Sequence, residues 1–341
     1  MRYTGKCKLK YNYMIPQKLK KGDEIRVIAP SRSLGIVPQP IRDIAIKRLE
    51  EFGFKITFSK HCEEQDDFAS SSVESRVADL HEAFADKNVK GILTVIGGFN
   101  VNQILSYLDY DLIKNNPKVL CGYSDITALS NAIYRKTGLV TYSGPHFSSF
   151  GMLKGIEYTG EYFKKCLTIN NPFEILPSSE WSDDMWYLDQ ENREFVKNTG
   201  YLLINVGEVE GKIIGGNLCT LNLLQGTQFM PSLEDAILFL EDDDATGDLF
   251  DVEFDRNLQS LIHQPGFSGV KGIVIGRCQK KGSIGQDKLV KIIKTKKELK
   301  NIPVIYGIDF GHTTPVITFP IGGKARLVAR EDGMRLEIIE H

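Results

Sequence analysis

The stretch Lys118-Val-Leu-Cys-Gly-Tyr-Ser-Asp-Ile-Thr-Ala-Leu-Ser-Asn-Ala-Ile-Tyr134 decides the fold. Val119, Leu120 and Cys121 are the apolar run of a short buried strand that stops at Gly122. From Asp125 the spacing becomes helical, through Ala128, Leu129, Ala132 and Ile133. Ser124 therefore stands at a strand-to-helix turn, its hydroxyl pushed out at the sheet edge beside the free N–H groups that open a helix. That is the layout of a nucleophile elbow, although Gly-Tyr-Ser-Asp is not Gly-x-Ser-x-Gly. Taken alone, the same residues also describe a plain helix cap by Ser124 or Asp125.

Outward from this turn, strands and helices alternate. Glu24-Ile-Arg-Val-Ile-Ala29 reads as a strand, residues 41–52 as a helix and Phe54-Lys-Ile-Thr-Phe58 as a strand. Residues 75–86 are helical, and Val89-Lys-Gly-Ile-Leu-Thr-Val-Ile96 is a buried strand ending at Gly97-Gly98. A helical pattern over 101–108 precedes the strand before Ser124, and Leu139-Val-Thr-Tyr142 follows its helix. Such alternation predicts a mainly parallel sheet with helices on both faces and sites at the strands' carboxyl ends. From 150 to 200 the pattern breaks into a connector and a long loop, acidic and aromatic in Glu180-Trp-Ser-Asp-Asp-Met-Trp-Tyr187. Strand signals resume at 207–214, 236–240, 270–275 and 303–306, with helices at 218–224 and 254–262, and predict a second, smaller α/β domain.

Length and composition fit two domains of a soluble globular protein: 341 residues, 42% apolar, 25% charged, formal net charge −2. Near-balanced charge gives no electrostatic case for nucleic acid or an anionic membrane surface. No apolar run approaches the roughly 20 residues that span a bilayer. The basic N-terminus lacks an apolar secretory core, and Met14-Ile-Pro reads as a natural start, so residues 1–13 read as an extension. The cysteines at 7, 62, 121, 166, 219 and 278 show no C-x-x-C spacing, which predicts neither a disulfide framework nor a zinc site and fits a reducing cytoplasm. Cys121 and Cys219 read as buried small hydrophobes.

Two further strand ends carry chemistry. Ala236-Ile-Leu-Phe-Leu-Glu241 ends in a carboxylate, and Ile305-Tyr-Gly-Ile-Asp-Phe-Gly-His312 leads to a glycine-flanked imidazole. Serine is a weak nucleophile until an imidazole takes its proton, and the imidazole needs a carboxylate to fix its tautomer. Ser124, His312 and Glu241 supply those three groups. The N–H of Asp125 and that of Gly98, on a turn without side chains, are available for an oxyanion.

Gly-Tyr-Ser124-Asp-Ile-Thr, Ile-Gly-Gly98, Gly215-Gly-Asn-Leu, Leu-Phe-Leu-Glu241-Asp and Asp-Phe-Gly-His312-Thr-Thr-Pro resemble, in order, the signature blocks of the LD-carboxypeptidase serine peptidases. That family includes murein tetrapeptide carboxypeptidases and microcin C immunity proteins, and the resemblance covers about Lys18 to Leu327. It implies a class I glutamine amidotransferase-like (flavodoxin-like) domain at 18–165, after an extension at 1–17. A connector and aromatic loop at 166–205 and a C-terminal domain at 206–341 would follow, in a cytoplasmic homodimer without metal or cofactor. It further implies Ser124 as nucleophile, His312 as base, Glu241 as orienter, Gly98 and Asp125 as oxyanion donors, and Asn217 at the substrate. The loop with Trp181 and Trp186 looks more like the microcin immunity branch, where a loop tryptophan stacks on the nucleotide of an aminoacyl- or peptidyl-adenylate. The run Asp242-Asp243-Asp244 offers no basic residue directly after Glu241 to grip an acidic side chain.

The alternative within the family is murein tetrapeptide cleavage in cell-wall recycling. Outside it, a phosphate-binding reading of Gly97-Gly98 finds Phe99-Asn100 in place of Asp-Gly and no P-loop lysine. A two-domain solute-binding protein would carry an export signal. His61-Cys62-Glu63-Glu64 reads as a solvated loop, and His146 as a lining residue.

Overall fold

Residues Ala236–Glu241 are buried at every position, as in a strand covered on both faces. Lys324–Arg330 instead alternates, as in a strand covered on one. From these two kinds of strand the chain builds two sheets. The computed structural model describes residues 13–279 and 285–341. Cys7 and residues 1–12 of the predicted extension lie outside the described residues.

The first half runs β1 (Glu24–Ile28), α1 (Gln39–Glu51), β2 (Lys55–Phe58), α2 (Val73–Ala85), β3 (Val89–Thr94), α3 (Tyr110–Asn115), β4 (Val119–Cys121), α4 (Ile126–Thr137), β5 (Thr141–Ser143) and α5 (Glu157–Thr168). Its strands pair in parallel in the order β2-β1-β3-β4-β5. That is the flavodoxin-like order, in which ligands sit beyond the strands' carboxyl ends.

The second half runs β6 (Phe173–Ile175), β7 (Glu180–Trp181), β8 (Val196–Lys197), β9 (Leu202–Asn205), β10 (Gly207–Asn217), α6 (Leu218–Asn222), β11 (Ala236–Glu241), α7 (Phe250–Ile262), β12 (Gly272–Gly276), α8 (Gln286–Thr295), β13 (Val304–Ile308), β14 (Phe319–Ile321), β15 (Lys324–Arg330) and β16 (Gly333–Glu340). Its main sheet has the order β6-β16-β15-β10-β11-β12-β13-β9, with β10 to β13 parallel. β14 crosses back to pair antiparallel with β5 as the sixth strand of the first sheet. No helix among the described residues is long and apolar enough to cross a membrane.

Two expectations change and a third is made specific. The main sheet of the second half exceeds the four strands read from the sequence: it has eight, of which β6 and β9 come from the predicted connector at 166–205. The additional strands are the β15–β16 hairpin and the short edge strands β6 and β9, whose signals the sequence reading left unassigned. Residues 150–200 are not all irregular, because α5 buries Tyr162, Phe163, Cys166 and Leu167. The helical pattern read at 101–108 is a 3-10 helix over Val101–Tyr107.

Helix α4 is buried from Ile126 through Ile133 because it lies against both sheets, and it ends at Gly138 in the left-handed conformation. Two of its polar side chains grip the end of β10. Asn131 Nδ2 donates to the Gly215 carbonyl at 2.8 Å, and Thr127 Oγ1 accepts the Asn217 N–H at 2.9 Å. Gly216 makes this approach possible: its φ is +120°, and a Cβ there would stand 2.4 Å from Thr127 Oγ1. Gly216→Ala is expected to cost about 1–3 kcal/mol. A urea unfolding midpoint equal to that of the parent would refute this account of the clasp.

Candidate active site

Strand β4 stops at Cys121, and three residues later Ser124 adopts φ +58°. A serine held in the left-handed region is strained by about 1–2 kcal/mol. The turn permits it because Gly97 lies directly against it: a Cβ on Gly97 would meet Ser124 Oγ at 2.9 Å. Helix α4 starts at once after Asp125, so the elbow expected from the sequence is present.

Glu241 ends β11 and is 3% exposed. His312 lies in the loop after β13. Its Nδ1 is 2.8 Å from Glu241 Oε2, and its Nε2 is 3.0 Å from Ser124 Oγ. Hydroxyl, imidazole and carboxylate thus form one continuous line, although they come from two sheets. Asp309, fully buried at the base of the His312 loop, accepts the Ser178 N–H at 2.8 Å and its hydroxyl at 3.0 Å, and pairs with Arg277 at 3.2 Å. Ser182 and Thr314 exchange two backbone hydrogen bonds, which ties the tryptophan loop to the same segment. Sequence reasoning missed this brace; the acid in Asp-Phe-Gly-His312 was its only signal.

Burial alone would lower the His312 pKa. The charge and hydrogen bond of Glu241, with Asp243 and Asp242 beyond it, more than offset this and raise it to about 9. His146, buried with Nδ1 on Thr94 Oγ1 at 2.8 Å, goes the other way: burial and then the His312 charge push it down to about 3. The Tyr123 ring lies between the two imidazoles, its centroid 4.4 Å from that of His146 and 5.5 Å from that of His312.

Among the described residues neither the Gly98 nor the Asp125 N–H meets a hydrogen-bond acceptor. The Asp125 carboxylate, however, is engaged through Oδ2. It accepts the Ser31 hydroxyl at 2.5 Å and the N–H groups of Asn100 and Val101 at 3.0 and 2.9 Å. Those bonds fix the Gly97-Gly98 turn relative to the residue that follows Ser124. The sequence reading had offered Asp125 as a helix cap or as a backbone donor, and its side chain makes no cap hydrogen bond.

A cavity of about 700 Å³ opens beside His312, with Tyr123, Met152, Trp186 and Pro315 among its walls. Trp186 lines it; Trp181 does not, and its ring instead takes the Arg277 guanidinium 4.9 Å from the centroid. Asn217 caps α6, its Oδ1 accepting the Thr220 N–H at 3.0 Å while Nδ2 faces Asp242 and Asp243. Cys219 is exposed, contrary to the expected burial, because the first turn of α6 places Leu218 and Thr220 inward; its thiol donates to Asn217 Oδ1 at 2.9 Å. His61 is likewise not simply solvated, since its Nδ1 is 2.7 Å from the buried Asp79 carboxylate.

Two α/β sheets that bring these groups together beside a deep cavity define an enzyme of the hydrolase class. The chain belongs to the LD-carboxypeptidase family, a peptidase family whose N-terminal domain matches residues 25–144 and whose C-terminal domain matches 210–327. YocD of Bacillus subtilis is 56% identical over 96% of this chain and its own full length. The crystal structure of an MccF-like protein from Bacillus anthracis is 61% identical, with a TM-score of 0.96 over 96% of this chain and 100% of that one. The microcin C7 self-immunity protein MccF, solved in complex with glutamyl sulfamoyl guanosine, is 31% identical with a TM-score of 0.83, over 96% of this chain and 98% of that one.

A protonated His312 cannot accept the serine proton. Turnover is therefore expected to rise with pH through about 9, the His312 value, and Glu241→Gln should move that limb to lower pH. A profile of kcat/KM flat from pH 6 to 10 would contradict the arrangement.

Proposed function

We propose that the chain is a serine hydrolase that cleaves the amide link of aminoacyl- or peptidyl-nucleotide compounds, the class to which processed microcin C belongs. The observation that carries this reading is the line Ser124–His312–Glu241, at 3.0 and 2.8 Å, whose His312 lines the cavity that Trp186 also walls.

Ser124 Oγ attacks the acyl carbon while His312 Nε2 takes its proton. The oxyanion that forms is stabilised by the N–H groups of Gly98 and Asp125, which are free to donate. His312 then gives its proton to the leaving nitrogen as the C–N bond breaks. Water, deprotonated by the same imidazole, releases the acyl group from Ser124. Glu241 holds the imidazole in the tautomer that presents Nε2 to Ser124 and offsets its charge. Trp186 supplies a face on which a base stacks, worth about 1–3 kcal/mol.

The order of the first sheet supports reading 18–165 as an amidotransferase-like domain that supplies the nucleophile. In the same scheme 166–205 connects it to 206–341, which supplies acid and base.

Ser124→Ala and His312→Ala should each lower turnover by orders of magnitude with the unfolding midpoint kept. The informative assay sets L-Ala-D-Glu-meso-diaminopimelate-D-Ala beside an aminoacyl sulfamoyl adenosine, with the parent and the Ser124→Ala protein. Cleavage of the tetrapeptide alone would move the assignment to murein recycling. Trp186→Ala should raise KM for the nucleotide substrate about tenfold or more, with a smaller change for Trp181→Ala. A loss of equal size on both substrates would remove the stacking contact.

A further inference from the structure

Arg76, on α2, is a buried cation with no part in the proton path. Its guanidinium reaches the chain just past the Gly97-Gly98 turn. Nη1 donates to the Asn100 carbonyl at 3.1 Å and to Asn100 Oδ1 at 3.2 Å, and Nη2 donates to Gln103 Oε1 at 2.8 Å. A longer Nη1 contact, 3.4 Å to the Pro30 carbonyl, ties in the loop after β1.

The same loop presses on the turn from its other side. A Cβ on Gly98 would stand 2.3 Å from Ser31 Oγ and 2.7 Å from Arg32 Cγ, and the Arg32 N–H donates to the Gly97 carbonyl at 3.4 Å. Asp125 joins these pieces, because its Oδ2 takes the Ser31 hydroxyl and the N–H groups of Asn100 and Val101 together. Burial raises the Asp125 carboxyl above its ordinary value, against those hydrogen bonds and the Arg76 charge. Taking a carboxylate out of water is costly. Here it spans the two candidate oxyanion donors: it belongs to the residue whose N–H is one of them, and it grips the chain just beyond Gly98, the other.

Resting on the serine-hydrolase reading above, we propose that the side chains of Asp125 and Arg76 are positioning groups for the oxyanion. Asp125 sets the Gly98 N–H against its own N–H, and Arg76 holds the far end of the turn. Two donors stabilise an oxyanion only where both point at it, and a misplacement of about one ångström costs on the order of a hundredfold in rate. The oxyanion exists only past the ground state, so loss of either side chain falls on kcat and spares KM.

The test uses whichever of the tetrapeptide and the aminoacyl sulfamoyl adenosine the parent cleaves. Asp125→Ala should lower kcat about a hundredfold and leave KM within about twofold. Asp125→Asn, whose amide oxygen can take the place of Oδ2, should recover to within about tenfold of the parent. Arg76→Met should lose about tenfold in kcat, again with KM kept. The rate at which a fluorophosphonate labels Ser124, followed by intact mass, should fall in the same order. In that step Ser124 Oγ bonds to phosphorus, fluoride leaves, His312 takes the hydroxyl proton, and the phosphoryl oxygen gathers charge where the oxyanion would. Labelling of Asp125→Ala at the parent's rate overturns the proposal, as does a loss carried by KM or an Asp125→Asn no better than Asp125→Ala. So does an activity loss in Asp125→Ala that only matches its unfolded fraction, read by circular dichroism at the assay temperature. Turnover kept by Ser124→Ala, or a parent that neither turns over nor labels, would strike the serine-hydrolase reading itself and this proposal with it.

Discussion

The hydroxyl of Thr127 and the amide of Asn131 join helix α4 to the last residues of β10, at 2.9 and 2.8 Å. Ser124 sits at the head of that helix, while Glu241 ends β11, the parallel neighbour of β10. Two side-chain-to-backbone hydrogen bonds thereby set the distance between a nucleophile on one sheet and its acid and base on another. A helix shifted by one ångström along β10 would open the 3.0 Å contact between Ser124 and His312. The buried polar pair suits this task better than apolar packing, because hydrogen bonds fix direction as well as distance.

The electrostatics of the site run in two senses within a few ångströms. Glu241, Asp242 and Asp243 favour the imidazolium of His312. One ring away, burial keeps His146 neutral. Tyr123 separates the two imidazoles, so the site holds a single histidine with a strong tendency to be charged. The raised basicity of His312 strengthens it as an acceptor of the serine proton. It also makes the imidazolium slower to give that proton to a leaving group, which suits a leaving nitrogen that is itself basic or stabilised by a nearby hydrogen-bond donor.

Much of the site was legible because chemistry lies at strand ends, and strand ends are where apolar runs stop. Val119 to Cys121, Ala236 to Leu240 and the run before His312 all stop sharply, so the residue beyond each stood out. The alternation of the first half likewise predicted the parallel sheet. Other features left weaker traces. Strands β6 and β9, of three and four residues, sit at sheet edges and need no long apolar run. The Asp125 carboxylate looked like a cap because its partners, Ser31, Asn100 and Val101, are distant in sequence or unremarkable in type. Cys219 looked buried because it is flanked by apolar residues, but helix geometry turns Leu218 and Thr220 inward and leaves the thiol out. Of the two tryptophans, which one faces the cavity depends on the Ser182–Thr314 bridge, and no local pattern encodes that.

Strand β14 has a consequence for how the two halves can be separated. Phe319–Ile321 belongs by sequence to the second half but hydrogen-bonds to β5 of the first. Phe319 is fully buried there, its ring centroid 4.9 Å from that of Phe239 in the other sheet. A chain divided near residue 205 would leave the N-terminal piece with a bare edge at β5 and the C-terminal piece with an unpaired apolar segment. A cut between the halves therefore has to fall elsewhere than at the connector, or carry β14 with the first sheet, for both sheets to keep their edges covered.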